Sequence, residues 1–488
     1  MLDDPPSSQR RGVDQRSAVW AEPREANPSL PVVCVQGLGF VGAAVCVAVA
    51  SARDAAGRPA YQVIGVDLPT PEGLSRIEAL NRGEFPFPTT DAKLVEKAHE
   101  TRAVGNLTAC ANPMTFGSAS VIIVDVPLDV AQSSEPALDL ETFRSAIRMV
   151  GRHMPSDCLV IIETTVPPGA TALVAAPILR HELAQRGLPT GRMKIAHCYE
   201  RVMPGAAYLD SIVKMPRVYA GIDDRSARAC EDFLQTIIAA GGCSPRRLSN
   251  TTASELGKVL ENTYRAVTIA LMEEFAEFAE KVGVDLFEVV GAIRSRPTHS
   301  NMRTPGFGVG GYCLTKDPLM AGLAAGELFG LDQAFPLATL AVNVNRVAPK
   351  RTLDRLRRLL NGSLRGRRVL LLGVSYREDV GDTRHSPSQM FWESATAEGA
   401  EVIVHDPLVK YWPECGICVP ENIPRAADLD AVVLAVPHSQ YREFAYEAWL
   451  DGHRPLFLDA FNVLSDARRN ALRALGCRVE SIGRGCGL

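Results

Sequence analysis

A glycine-rich segment surrounds a single cysteine in the second half of the chain. Residues 306–318 read GFGVGGYCLTKDP, with four glycines before Cys313 and the pair Lys316 and Asp317 after it. Glycine lets a backbone approach a ligand closely, and a thiolate is a strong nucleophile. The segment therefore predicts a nucleophile held against a substrate carbon, with free backbone N–H groups around it. A flexible surface turn between helices is the competing interpretation.

Polar side chains elsewhere could supply the other groups that such chemistry needs. Lys258 and Asn262 lie four residues apart in a predicted helix, so they project from one face and could both stabilise an oxyanion. A lysine near the nucleophile would also lower the pKa of the thiol. Glu200 follows an apolar strand, at the edge where parallel sheets bind ligands. The competing interpretation is a solvated helix face on which Lys258 pairs with Glu255 or Glu261.

A dinucleotide-binding pattern begins near residue 31. The apolar strand PVVCVQ leads into GLGFVG and a helix of small residues, and YQVIGVD supplies a second strand ending at Asp67. Gly37 permits a tight turn, Gly39 lets a pyrophosphate approach the helix N-terminus, and Gly42 lets helix and strand pack closely. Asp67 would bind ribose hydroxyls, which favours NAD over NADP. A glycine set that only packs a helix is the competing interpretation.

Two further residues could handle water or the cofactor. Thr165, in ETTVPPG, ends an apolar strand, although a threonine there often only caps the next helix. Asp317 could activate water or orient Lys258, and a plain surface turn is its alternative. With a dinucleotide domain and Cys313, these residues predict hydride transfer combined with covalent catalysis. A carbonyl captured by the thiolate would give up a second hydride, and water would release an acid.

The elements that must position these residues alternate between strands and helices. Further apolar strands are SVIIVDVP, CLVIIETTVPP, KIAHCYERVMP and RVYAGI in the first half, and RRVLLLGVSY, EVIVHDP, DAVVLAVP and PLFLDAFNV after residue 366. The pattern predicts an α/β protein with two Rossmann-like doubly wound domains joined by a long central helix, and a parallel first sheet that runs to about residue 222. The second domain has only Gly373 at its first turn, so we expect it to hold a different nucleotide-bearing ligand.

The expected organisation has four parts. They are a disordered leader over 1–30, an NAD-binding Rossmann domain over 31–222, a central helical domain with the cysteine loop over 223–350, and a C-terminal Rossmann-like domain over 351–488. The central helix, over 254–281, carries a long apolar stripe. We expect this stripe to form a homodimer, with an intrachain core as the alternative. Its members are Leu256, Leu260, Tyr264, Val267, Leu271, Phe275 and Phe278.

Composition limits the class of protein. With 46% apolar and 22% charged residues and a formal charge of −4, the chain is not basic enough to indicate nucleic acid binding, and no apolar run is long enough for a membrane span. The twelve cysteines are scattered, several in apolar strands, which favours reduced thiols in the cytoplasm. Cys415 and Cys418 form one C-x-x-C without a second pair, so we expect no metal site.

Six motifs in this order resemble the UDP-glucose/GDP-mannose dehydrogenase family. They are GLGFVG, ETTVPPGAT, YERVMPG, ELGKVLENTYR, GFGVGGYCLTKDP and GVSYREDVGDTRHSP. The resemblance implies NAD-dependent, four-electron oxidation of a nucleotide sugar at C6, with an N-terminal NAD domain and a C-terminal domain for the nucleotide sugar. It implies Cys313 as nucleophile and Lys258 with Asn262 as the oxyanion-stabilising pair. The water-activating group would be Thr165, Glu200 and Asp317.

The same motifs imply the residues that contact each ligand. The resemblance gives the NAD contacts as Gly37, Leu38, Gly39, Phe40, Val41, Gly42, Asp67, Val126, Pro127, Thr165 and Lys316. It gives the UDP-sugar contacts as Glu200, Arg201, Lys258, Asn262, Arg303, Phe307, Gly310, Tyr376, Arg377 and Arg384. Arg384 could instead be an ion-pair partner of Asp382 or Asp379. An arginine that reads the sugar of a neighbouring subunit could be Arg294, Arg296 or Arg303.

The identity of the sugar stays open at the level of sequence. Pro204, in ERVMPG, resembles the UDP-N-acetylhexosamine branch, whereas Lys316 and Asp317 after the cysteine resemble the UDP-glucose and GDP-mannose branches. UDP-glucose or a UDP-N-acetylhexosamine is the expected substrate. GDP-mannose oxidation, a two-electron dehydrogenase of the 6-phosphogluconate type, and a sensor that only binds NAD and a nucleotide sugar are the alternatives; Cys313 and the second α/β domain count against the two-electron type.

Overall fold

A computed structural model describes residues 30–131, 137–202, 205–238 and 243–485. All of the expected leader except Leu30 lies outside this part of the chain, and so does Pro204. Within the described ranges, no helix has the length and apolar character that crossing a membrane requires.

The first sheet has eight strands in the order β8-β7-β6-β5-β4-β1-β2-β3, and its β1–β6 part has the strand order of a dinucleotide-binding fold. The strands are β1 (Val32–Gln36), β2 (Gln62–Val66), β3 (Leu107–Cys110), β4 (Val121–Val124), β5 (Leu159–Ile162), β6 (Lys194–Tyr199), β7 (Val218–Gly221) and β8 (Arg246–Arg247). The prediction of a parallel sheet is wrong for one pair, because β6 and β7 run antiparallel. The described residues of the connection between them contain one short helix, and antiparallel neighbours need no long crossover.

Helices cover both faces of this sheet. They are α1 (Phe40–Ser51), α2 (Pro71–Arg82), α3 (Ala92–Val104), α4 (Glu141–His153), α5 (Ala176–Gln185), α6 (Tyr208–Val213) and α7 (Asp224–Ile238). Helix α1 is buried along nearly its whole length because glycine, alanine, cysteine and valine let it lie close to the strands. Helix α7 follows residue 222 and still packs into the same core through Cys230 and Phe233.

A helical layer follows the first sheet. It contains α8 (Thr251–Lys281), α9 (Leu286–Arg294), α10 (Met320–Glu327) and α11 (Pro336–Leu359). Helix α8, the central helix, has 31 residues and begins where the Asn250 side chain accepts a hydrogen bond from the backbone N–H of Ala253. The apolar side chains that it buries are mostly alanines, which let α11 lie against it. The prediction of one long helix is confirmed.

The second sheet is parallel throughout and has the order β10-β9-β11-β12-β13. Its strands are β9 (Arg368–Leu372), β10 (Glu401–His405), β11 (Ala431–Leu434), β12 (Leu456–Asp459) and β13 (Val479–Ser481), with α12 (Pro387–Ala397), α13 (Ser439–Glu443), α14 (Tyr446–Trp449) and α15 (Asp466–Ala474) between them. This is the other common doubly wound order. The predicted fold class, two Rossmann-like units with a long helix between them, is confirmed.

Candidate active site

The central helix brings Lys258 to the carboxyl end of β6. The Lys258 Nζ donates to the Glu200 carboxylate at 2.8 Å and to the Glu200 backbone carbonyl at 2.9 Å, and both residues are buried. Burial acts to lower the pKa of Lys258, but Glu200, followed by Cys313, raises it above its ordinary value. The alternative of a solvated helix face is therefore wrong. Glu261 pairs with Arg201 instead.

One turn further along the helix, Asn262 reaches the segment that follows the cysteine. Its side-chain amide donates to Asp317 Oδ2 at 2.7 Å, and Lys316 Nζ binds Asp317 Oδ1 at 2.8 Å. Asp317 is fully buried, and its backbone N–H donates to the Cys313 carbonyl at 2.9 Å. A carboxylate held by an amide and an ammonium group has a fixed orientation. Lys316, an expected cofactor contact, lies against Asp317 and the Tyr312 ring, 4.4 Å from its centroid.

Cys313 is exposed to solvent, while Lys258, Lys316, Asp317 and Glu200 lie close enough to act on its thiol. Burial, followed by the charge of Asp317, raises the pKa of Cys313 to about 12, although Lys258 and Lys316 act to lower it. Lys258 therefore acts on the thiol pKa in the expected direction, but desolvation and the charge of Asp317 outweigh it. A raised thiol pKa disfavours the thiolate, so a base must take the proton when the sulfur attacks.

The glycines before the cysteine are explained by protein packing. A Cβ on Gly310 would lie 2.6 Å from the His385 carbonyl oxygen and 2.8 Å from Tyr376 Cβ, and one on Gly311 would lie 2.6 Å from the Tyr376 ring. The expectation that these backbone N–H groups are free also fails at Gly311, which donates to the Arg384 carbonyl. Glycine is therefore needed at these positions, because the loop lies against the segment that follows β9 in the second sheet.

The dinucleotide loop has the geometry that a pyrophosphate needs. Gly37 has a φ of +95°, and a Cβ there would lie 2.1 Å from the Asp125 carbonyl oxygen. A Cβ on Gly42 would lie 2.0 Å from the Gly37 carbonyl oxygen, whereas one on Gly39 would meet no atom within 4 Å. Gly39 thus opens the helix N-terminus to a ligand, while the other two glycines pack the turn.

Asp67 lies at the end of β2, as expected for a ribose-binding carboxylate. Its carboxylate accepts from the backbone N–H of Leu38 at 3.3 Å and of Leu68 at 2.8 Å. Arg76, which the motifs did not single out, lies 3.4 Å from the same carboxylate and over the Phe87 ring. The carboxylate is thus held beside the glycine loop, and these residues fit NAD.

Phe40, in the same loop, stacks on Phe87 with 4.0 Å between ring centroids. Val126 is fixed by its backbone N–H, which donates to the Thr164 hydroxyl at 2.9 Å. Thr165, the expected cofactor contact, is half-buried beside Thr164 after the end of β5. Val41 is partly buried and Pro127 is exposed.

A cavity of about 560 Å³ lies between the helical layer and the second sheet. It brings together Arg303, Phe307, Tyr376 and Arg377, all expected substrate contacts. Its size suits a nucleotide-bearing ligand. The lining residues that sequence reasoning missed include Arg442, Phe461 and Asn462.

Positive charge collects at one side of this cavity. Arg294 and Arg303 both line it, and burial, followed by the charges of Arg265 and Arg294, lowers the pKa of Arg303. Arg294 is held by two bonds to the Met302 carbonyl, while the Nε of Arg303 is buried without a hydrogen-bond partner in the described part of the chain. Mutually repelling guanidinium groups of this kind favour an anionic ligand.

Two expected substrate contacts are engaged within the protein. Arg201 pairs with Glu261 and lies over the Tyr199 ring. Arg384 forms a two-point ion pair with Asp382, at 3.0 Å and 2.7 Å. Its guanidinium also lies over two aromatic rings, one from the dinucleotide loop and one beside the cysteine. Of the two ion-pair partners considered for Arg384, the structure has Asp382; the contact with the UDP-sugar stays a prediction.

Sequence reasoning missed three carboxyl groups around the site: Glu255 and Glu273, which are buried, and Asp125, which is half-buried. Burial raises the pKa of Asp125, Glu255 and Glu273 to about 7 in each case. Glu255 does not pair with Lys258 but binds the loop after β5. The signal available in the sequence was position, since Glu255 and Glu273 lie on the same face of the central helix as Lys258.

The glycine loop of the first sheet, and the cavity at the edge of a second Rossmann-like sheet, define an NAD-dependent oxidoreductase. The models of one family match three consecutive parts of the chain: its NAD binding domain over residues 32–238, its central domain over 252–346 and its UDP binding domain over 370–466. The chain belongs to the UDP-glucose/GDP-mannose dehydrogenase family, as its motifs predicted. It is an NAD-dependent nucleotide-sugar dehydrogenase.

Individual relatives carry amino-sugar names. The chain is 28% identical over 416 residues to a UDP-N-acetyl-D-mannosamine dehydrogenase of Methanocaldococcus jannaschii, covering 85% of this chain and 87% of the relative. It is 26% identical over 419 residues to an NDP-N-acetyl-D-galactosaminuronic acid dehydrogenase of Ralstonia nicotianae, covering 84% and 92%. The solved UDP-D-ManNAc dehydrogenase of Pyrococcus horikoshii is similar with a TM-score of 0.77 and 27% identity, covering 93% and 99%.

Proposed function

We propose that this enzyme oxidises the C6 hydroxyl of a UDP-N-acetylhexosamine to a carboxylate in two hydride transfers. The observation that carries the proposal is the position of Cys313 beside two polar pairs, Lys258 with Glu200 and Asn262 with Asp317. The amino-sugar names of the relatives support the choice of sugar. UDP-glucose is the second candidate, because the pair Lys316 and Asp317 after the cysteine resembles the UDP-glucose branch. The two side chains are hydrogen-bonded to each other.

The first half of the proposed reaction gives an aldehyde. The glycine loop would hold NAD, which would supply the hydride acceptor for both oxidation steps. Lys258 and Asn262 are ammonium and amide donors on one helix face, so both would stabilise negative charge on the C6 oxygen. The buried position of Lys258 strengthens this effect, because low surrounding polarity strengthens electrostatic interactions.

The second half uses the thiol. The sulfur of Cys313 adds to the aldehyde carbon and its proton passes to a base; Asp317 and Glu200 are the carboxyl groups whose charges act on this thiol. Loss of the second hydride from the resulting thiohemiacetal leaves a thioester. Water, activated by a carboxylate of the group Thr165, Glu200 and Asp317, then attacks the thioester carbon and returns the thiol.

The cavity residues would hold the nucleotide. Arg303 and Arg377 supply positive charge for a diphosphate, and Tyr376 and Phe307 supply aromatic surface. Arg377 stands where the motif often has lysine, and a guanidinium binds a diphosphate at least as well. Arg384 would act indirectly, by joining the dinucleotide loop to the cysteine loop.

We also infer a homodimer formed by the central helix. Six of the seven residues in its predicted apolar stripe are exposed in the single chain, and Val267 is partly exposed. Neighbouring helix α11 exposes Leu337 and Leu340. Exposed apolar surface of this extent is typical of an interface with another chain, which favours the dimer over the intrachain core.

The test of the function is NADH production by the purified enzyme across UDP-N-acetylglucosamine, UDP-N-acetylmannosamine, UDP-N-acetylgalactosamine, UDP-glucose and GDP-mannose. The expected result is two NADH per sugar consumed with one UDP-N-acetylhexosamine. One NADH per sugar would replace the proposal by a two-electron oxidation. Binding of NAD and sugar without any NADH would establish a sensor.

A further inference from the structure

Two buried glutamates of the central helix have no part in the proposed chemistry. Glu255 is completely buried and Glu273 is 3% exposed. A buried carboxyl group without partners is strongly unfavourable, so such groups are kept where their hydrogen bonds matter. Both side chains bind backbone N–H groups of other segments, and both segments border the site.

Glu255 binds the segment that follows β5. One carboxylate oxygen accepts the N–H of Gly169 at 2.5 Å and the other accepts the N–H of Thr171 at 2.7 Å. These N–H groups lie at the start of the helix that continues into α5, where backbone donors lack partners within the helix. Thr165, which the motifs assign to NAD, lies four residues before Gly169. We call residues 165–171 the cofactor-side loop.

Glu273 binds the beginning of the cysteine segment. Its Oε1 accepts the N–H of Gly306 at 2.9 Å, and its Oε2 lies 3.2 Å from Arg351 Nη2 of helix α11. Arg351 also donates to the Glu273 backbone carbonyl at 2.6 Å. Gly306 starts the glycine-rich run that ends at Cys313. We call residues 306–313 the nucleophile loop.

The two glutamates lie on one face of one rigid element. They are 18 residues apart, which is five turns of helix and about 27 Å of rise. Lys258 and Asn262 project from the same face between them. A single helix therefore holds the cofactor-side loop, the oxyanion donors and the nucleophile loop in fixed order.

We propose that Glu255 and Glu273 are positioning residues that set the cofactor-side loop and the nucleophile loop at a fixed separation along the central helix. This inference rests on the proposed function, because it assigns the two loops to NAD and to the nucleophile. Each glutamate acts on its own loop. NAD affinity should therefore depend on Glu255, and the reactivity of the Cys313 thiol should depend on Glu273.

The test uses Glu255→Gln and Glu273→Gln in the full chain, with Glu274→Gln as the matched control because Glu274 is the exposed neighbour of Glu273. A glutamine offers one acceptor and turns an N–H donor toward the second partner, so one bond to a carboxylate is lost. That partner is a backbone N–H at Glu255 and the Arg351 guanidinium at Glu273. The readouts are the NAD dissociation constant, from nicotinamide-quenched protein fluorescence, and the rate of Cys313 alkylation by iodoacetamide, from mass spectrometry of its peptide. Neither needs turnover.

Glu255→Gln should weaken NAD binding about tenfold or more, as expected for loss of a bond to a charged group, and leave the alkylation rate of Cys313 within about twofold of the control. Glu273→Gln should change the alkylation rate by a similar factor and leave NAD affinity unaltered. Both should lower kcat more than they raise the KM for nucleotide sugar. Equal effects of both variants on both readouts, or none beyond Glu274→Gln, would overturn the proposal.

Two further measurements distinguish a failure of this inference from a folding defect of the variant and from a failure of the proposed function. If Glu255→Gln does not fold, Glu255→Asp keeps the charge with a shorter reach and should give the same selective loss of NAD affinity. If the wild-type enzyme produces no NADH from any sugar, the proposed function fails. The two binding and labelling readouts still decide the roles of the glutamates in that case.

Discussion

Asn262 of the central helix donates a 2.7 Å hydrogen bond to Asp317, and the backbone N–H of Asp317 donates to the carbonyl of Cys313. The helix thereby fixes the turn that carries the nucleophile. Because Lys258 of the same helix is bonded to Glu200, one element positions groups from two separate parts of the chain. The geometry of the site therefore depends on the central helix.

Replacing the nucleophile should stop turnover without stopping binding. Cys313→Ser should lower NADH production on the order of a thousandfold or more, because a serine hydroxyl without a strong base is a weak nucleophile. Affinity for UDP, measured by calorimetry, should stay unchanged. A serine variant that retains full turnover would rule out the covalent mechanism.

Substitutions in the buried ion pair of Lys258 and Glu200 should have strongly non-additive effects on the free energy of unfolding. Lys258→Met leaves the Glu200 carboxylate buried without its partner, and should lower the free energy of unfolding by about 3–5 kcal/mol. The double variant Lys258→Met with Glu200→Gln should regain much of that loss, because it removes the unpaired charge. Denaturant unfolding of both single variants and the double variant measures the coupling, and additive losses would contradict it.

The three raised carboxyl pKa values predict how stability depends on pH. Asp125, Glu255 and Glu273 ionise near pH 7 when folded and near pH 4 when unfolded, so the folded state holds more protons between these values. The contribution of these three groups to the free energy of unfolding is therefore complete below about pH 4 and is lost as pH rises through about 7.

Asp125→Asn should flatten this slope, because burial and the nearby charge of Glu200 raise the pKa of the native carboxyl. Denaturant unfolding at intervals from pH 4 to pH 8 measures the effect. Asp139→Asn, on an exposed loop, is the control. Parallel curves for Asp125→Asn and wild type would show that Asp125 ionises freely in the fold.

The close packing at Gly310 should make this glycine sensitive. Gly310→Ala would push a methyl group into the His385 carbonyl and Tyr376, which costs about 1–3 kcal/mol of folding free energy for overpacking. Because Tyr376 lines the cavity, affinity for UDP should fall as well. Gly326→Ala is the matched control, since a Cβ there meets nothing within 4 Å. Equal affinities for UDP would show that the loop can shift without disturbing the cavity.

The apolar stripe should determine the oligomeric state. Leu260 and Phe278 are both more than half exposed in the single chain, so a charge at either position is tolerated by a monomer but not by a dimer interface. Leu260→Glu should convert the dimer to a monomer in light scattering coupled to size exclusion. A wild-type protein that is already monomeric would contradict the proposed dimer.

Much of the fold could be predicted because local patterns are strong in this chain. The runs PVVCVQ and VLLLG, bounded by glycine turns, predict the buried strands that the structure has. The helical spacing over 254–281 matches the observed Thr251–Lys281 within three residues. The strand direction of β7 was missed because side-chain alternation is the same in parallel and antiparallel strands. Strand β13 was missed because three residues, VES, carry too little pattern.

The sequence by itself determined the family, the cofactor and the residue types of the site, because glycine spacing and the cysteine loop reflect local backbone requirements. Only the tertiary structure decided which partner each charge has. Lys258 had Glu255 and Glu261 within reach on its own helix, yet it binds Glu200, 58 residues away in sequence. The pKa of Cys313 was decided in the same way, since desolvation and the charge of Asp317 depend on distances and burial that the order of residues does not contain.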